Sequence, residues 1–180
     1  MKSGGGKMKS FFWSLFLLIG LGILAGAALI WSGLYNVAAD EPHWKATFWL
    51  MNEARDRSVD TQSRGIIPPA LQGEKFVDRG FPHFHTVCRL CHGAPGEGPL
   101  DFTTGLYPRP PLFPSKDVQQ DLTDAQLYWI IKHGFKMTGM PSFGVSYSEE
   151  DLWAIVAFIR RLPTLSPQEY QAMAERAGKS

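Results

Sequence analysis

The longest apolar stretch lies near the amino end of the chain. From Ser10 to Ala39 no residue is charged, and the run is densest from Phe11-Phe12-Trp13 to Ile30-Trp31. Such a run is long enough to cross a bilayer as a helix. Lys2, Lys7 and Lys9 precede it, and Asp40 and Glu41 follow it. Basic flanks stay in the cytoplasm, so everything downstream is expected to be exported. A cleaved signal peptide ending at Val37-Ala38-Ala39 would need an apolar run of only about 7–15 residues. This run is far longer. The expectation is a cytoplasmic tail over residues 1–10 and a retained single-pass anchor over 11–35. Gly22 and Gly26 form a GxxxG pair through which a partner helix could approach.

Beyond the anchor the apolar positions change period. Trp44, Phe48, Trp49 and Met51 fall near helical spacing, followed by Glu53, Arg55, Asp56 and Arg57. Two readings stay open: a helix resting on the membrane–water interface, or a continuation of the anchor packed on a partner. Residues 61–72, with Gly65 and Pro68-Pro69, have linker chemistry. The segment 36–72 is therefore juxtamembrane and linker, and a domain is expected over 73–165.

Three helices are expected in that domain. The first runs from about Gly80 to Cys91, with Pro82 tolerated in its first turn. The second opens on Thr123 with Gln126 three residues on, a capping box, and stops at Gly134. The third opens on Ser148 with Glu149-Glu150-Asp151 complementing the helix dipole, and ends before Pro163. A fourth, polar helix opens on Ser166-Pro167-Gln168-Glu169 and is expected on the surface over 166–180. The stretch from Gly93 to Pro114 is too rich in proline for a regular helix but suits a stiff wall.

Charge and cysteine count narrow the function. Lys+Arg number 18 and Asp+Glu 17, so the chain lacks the basic excess of a general nucleic-acid binder. Two cysteines are too few for a disulfide scaffold or a four-thiolate zinc site. They stand as Cys88-Arg89-Leu90-Cys91-His92, the C-x-x-C-H signature of covalent haem c attachment. Two thiols on one helical turn can each add to a haem vinyl group, and the following imidazole then lies under the iron. A thioredoxin-like redox pair would open a helix after a strand, and nothing upstream reads as a strand.

A methionine on the opposite side would complete a His/Met iron. Met140, between Gly139 and Pro141, is the first choice in the irregular loop His133–Gly144, and Met137 is the alternative. His133, His83 and His85 are the other possible distal ligands, each read first as a surface or supporting histidine because the loop offers a methionine. Proximal histidines have an acceptor on the other ring N–H.

Residues from Gly80 to about Pro163 resemble a class I c-type cytochrome. Gly80, Phe84, Cys88, Cys91 and His92 fit the G-x3-aromatic-x3-C-x2-C-H opening, and Gly139-Met140-Pro141 fits the segment before the last core helix. The resemblance implies an all-α fold of three core helices around one covalent haem c, behind the N-terminal transmembrane helix. It implies Cys88 and Cys91 as attachment sites, with His92 and Met140 axial. It also implies a proline carbonyl behind His92, for which Pro99 is the candidate. Tyr107 and Arg109 are candidates for the haem propionates.

A closed six-coordinate iron suits electron transfer rather than catalysis. The expected protein is a carrier, or a subunit of a respiratory complex, on the periplasmic face of a bacterial inner membrane. Its partners would be redox proteins of the membrane or periplasm. The alternatives are a haem peroxidase or a gas or redox sensor with a labile methionine, and a structural anchor for a partner enzyme.

Overall fold

The structure, a computed structural model, describes residues 4–71, 73–115 and 121–178. Lys2, of the predicted basic flank, lies outside the described residues. The chain divides into two units, Met1–Glu41 and Pro42–Ser180. Helix α1 (Gly4–Ser32) makes up most of the first. Its segment Gly6–Ser32 is long and apolar enough to cross a membrane. The side chains from Phe11 to Leu18 are mostly exposed, as they would be in a helix that faces lipid.

The second unit is all helical, with no strand among the described residues. Helix α2 spans Lys45–Gln62 and α3 spans Glu74–His83. A π turn at Phe84–Cys88 leads into the short α4 (Arg89–His92). Helices α5 (Asp124–His133), α6 (Glu149–Arg161) and α7 (Pro167–Ala177) complete it. Both predicted capping boxes are present, at Thr123/Gln126 and Ser166/Glu169, and Ser148 caps α6. Gly134 ends α5 at φ +63°, a conformation that disfavours any side chain.

Two expectations need correction. The first core helix begins at Glu74, not Gly80, so Pro82 lies inside it. Pro82 has no N–H for the carbonyl one turn back, and its ring crowds that carbonyl. The chain accommodates this by widening into the π turn immediately after. The last helix is not merely a surface helix. Its Tyr170 and Met173 are buried in the central cluster with Phe81, Phe84, Phe158 and Leu152. A polar composition concealed this, because two anchors three residues apart suffice to dock a short helix.

Helices α3 and α6 cross closely at Gly80, where a Cβ would run into the Ala154 carbonyl. The same pair is tied at the surface by Arg79, which reaches Asp151 and Glu150 at 2.8 Å each. Asp151 also accepts from the Ser148 hydroxyl at 2.6 Å. That hydrogen bond, then Arg79, holds its carboxyl well down, to about 2. A depressed carboxylate stabilises the fold above its unfolded value, and the contribution disappears as pH falls through the folded value. Asp151→Asn should therefore cost about 1 kcal/mol near neutrality, allowing for solvent screening. The difference should vanish towards pH 2 in urea unfolding of the purified protein. An equal difference at pH 2 and pH 7 would contradict this account.

Candidate functional site

Cys88 closes the π turn, and Cys91 and His92 follow in α4. The two thiols are not joined to each other. Burial, with Cys91 nearby, pushes the Cys88 thiol up to about 12, and burial also raises Cys91. Neither is a poised thiolate, unlike the attacking sulfur of a dithiol exchange enzyme.

His92 is buried, at 8 % exposure. Its Nδ1 lies 2.8 Å from the Pro111 carbonyl oxygen. A carbonyl can only accept, so Nδ1 carries the proton and Nε2 of the neutral ring presents a lone pair. Burial lowers the imidazole's proton affinity and so favours the neutral ring, partly offset by that hydrogen bond. The Phe113 ring stacks on the imidazole, with centroids 4.2 Å apart and planes at 10°. The Phe113 N–H donates to the His92 carbonyl at 3.1 Å. One proline-rich segment thus fixes His92 by its ring nitrogen, its ring face and its backbone.

Pro99 was the expected acceptor, and it is not the partner. The chain turns back at once after His92, through the paired backbone hydrogen bonds of Ala94 and Glu97 at 2.9 Å. This brings Pro99 against Gly93, and the acceptor comes from the return of the loop. Arg89 braces the turn, donating to the His85 carbonyl at 2.6 Å and pairing with Glu97 at 3.0 Å.

Met140 and Met137 differ sharply. Met140 is half-buried and packs against the hydrophobic core. Met137 is 93 % exposed at φ +58°. The Met140 N–H donates to Thr138 Oγ1 at 3.1 Å, and the Met140 carbonyl accepts from Phe135 N–H at 3.1 Å. Thr138 Oγ1 donates in turn to the Phe135 carbonyl at 2.9 Å. The loop is pinned to α5 beyond Met140 as well, by Phe143 N–H to Ile131 and Gly144 N–H to Lys132.

The other predicted positions are engaged elsewhere or open. The Tyr107 hydroxyl accepts from His43 N–H at 3.3 Å, and the two rings meet edge to face. Arg109 is exposed. His83 sits 3.5 Å from Asp151 beside the Tyr147 ring, and His85 Nδ1 is 2.9 Å from the Tyr170 hydroxyl. His133 is exposed beside Trp129. Sequence reasoning missed Pro111 and Phe113. The only signal was the stiffness of Pro110-Pro111-Leu112-Phe113-Pro114, which says nothing about what the segment touches.

Two free thiols and an imidazole with Nε2 available, all within one helical turn, have the chemistry that covalent haem attachment requires. Residues 76–159 match a family model described as cytochrome c oxidase, cbb3-type, subunit III. No curated protein matches the chain.

Proposed function

We propose that this chain, which carries a class I c-type cytochrome domain, passes single electrons through one haem c bound by Cys88 and Cys91. His92 is the proximal ligand and Met140 the distal one. The observation that carries the reading is the grip on His92: a buried imidazole, its Nδ1 proton held by Pro111, one residue from the second free thiol. The bound group supplies a one-electron ferric/ferrous couple. The chain's own work is to hold both axial side chains in place and keep water away. Helix α1 tethers the domain to the inner membrane with its haem on the outer face, as carrier or respiratory-complex subunit. Tethering raises the effective concentration of the domain near membrane partners. Tyr107 and Arg109 remain proposed neighbours of the haem.

Digestion of the purified protein should yield one peptide containing Cys88–His92 with the mass of one haem added. Cys88→Ala or Cys91→Ala should leave at most one thioether bond and sharply reduce holoprotein. Unchanged double attachment in either variant would overturn the assignment.

Thr138 bridges both sides of the loop that presents Met140. Thr138→Val should loosen the methionine, seen as a weaker methionine–iron band in the red and faster carbon monoxide binding. The loss of two hydrogen bonds should also cost about 1–3 kcal/mol. Thr138→Ser should restore the band. A valine variant with an unaltered band would show that the hydroxyl does not position Met140.

A further inference from the structure

The first half of helix α2 exposes a run of apolar side chains. Phe48, Trp49, Leu50 and Met51 are 46 %, 65 %, 58 % and 52 % exposed. The polar Asn52 and Glu53 that follow are more covered. At 100° per residue, four consecutive positions sweep roughly 300° of the helix surface. The exposed apolar surface is therefore a collar around the helix, not a stripe along it. A protein groove meets a helix along one stripe, at i, i+3, i+4 spacing. A collar is apolar in nearly every direction, which suits a medium that surrounds the helix.

The rest of α2 is water-adapted and fastened to the haem domain. Its second half carries Arg55, Asp56, Arg57 and Asp60. Val59 is buried, and Asp60 accepts from the Gln126 side chain of α5 at 2.6 Å. Just before α2, His43 is held by Tyr107. The helix is thus clamped to the haem domain at both ends, with the collar between the clamps. Upstream, only residues 33–44 separate α2 from the end of the candidate span at Ser32. A connection that short reaches at most about 40 Å.

We propose that the Phe48–Met51 collar sits in the headgroup layer of the membrane that holds α1, a lipid-binding surface that fixes the orientation of the haem domain. This rests on the tethered reading given above. Trp49 suits the layer, because indole pairs an apolar body with one N–H donor. Individually weak burial is enough, since the tether already holds the collar close to the lipid. The clamps transmit the contact: a helix set in the interface and fixed at both ends leaves the haem domain little freedom to tumble.

The test is photo-crosslinking of the full-length holoprotein in its native membranes. Trp49→p-benzoylphenylalanine and, as control, Arg57→p-benzoylphenylalanine are irradiated and read by intact mass. The proposal expects adducts of lipid mass at position 49 and their loss at position 57. An adduct of protein mass at position 49, no adduct there, or equal lipid adducts at both positions would overturn it. Extraction with alkaline carbonate reads the tether separately. Release of the chain would strike the membrane reading itself, whereas a retained chain without lipid adducts strikes only the collar.

Discussion

Replacing Met140 with Ala is expected to leave the haem attached and His92 in place, while changing almost everything that is read at the iron. The methionine–iron charge-transfer band of the ferric protein should disappear. The reduction potential should fall by roughly a few tenths of a volt, within the ~0.8 V that axial ligands span, because a thioether favours ferrous iron. Carbon monoxide and cyanide should bind faster than in the parent. Met137→Ala should do almost nothing, since that side chain is 93 % exposed and makes no core contact to lose. The contrast between the two variants is the informative result. Loss of the band in Met137→Ala, with its retention in Met140→Ala, would exchange the two roles.

The largest expected effect on stability comes from a single methyl group. In Gly80→Ala the new Cβ would collide with the Ala154 carbonyl oxygen and lie 2.5 Å from its carbon. Both obstacles are helix backbone, which cannot swing aside as a long side chain would. The crossing of α3 and α6 would have to open. It is flanked by Phe81, Phe84 and Phe158, at 2 %, 0 % and 0 % exposure. Overpacking typically costs about 1–3 kcal/mol, and a clash against rigid backbone belongs at or above the top of that range. The variant should give little mature holoprotein, and what forms should unfold at markedly lower urea. A midpoint within about 0.5 kcal/mol of the parent would show that the helices can separate without loss.

The helix ends were legible because their signals are local. Thr123/Gln126, Ser148, Ser166/Glu169 and Gly134 each act within one turn, so a few residues decide the outcome. The C-x-x-C-H pattern is local in the same sense, five consecutive residues that need no distant contact to be read. What depended on contacts distant in sequence was not legible. Pro99 and Pro111 are equivalent as residues, and only the turn at Ala94–Glu97 decides which carbonyl returns to His92. Tyr170 looked like part of a polar helix until its ring was placed against Phe81 and its hydroxyl against His85. Pro82 was set in a first turn because proline normally belongs there, yet α3 begins eight residues earlier. The helix bears the proline at the cost of a π turn, a compromise that no local rule foresees.

The central claim is that His92 and Met140 close the iron to outside ligands, so that the domain carries electrons and does no chemistry on a bound molecule. The visible spectrum of the purified full-length protein tests it most directly, recorded oxidised and then reduced under carbon monoxide. The account predicts a methionine–iron band in the red for the ferric form and no prompt spectral change when carbon monoxide is added to the ferrous form. A ferric protein without that band, whose ferrous form takes up carbon monoxide at once, would contradict it and point to a peroxidase or sensor with an open site.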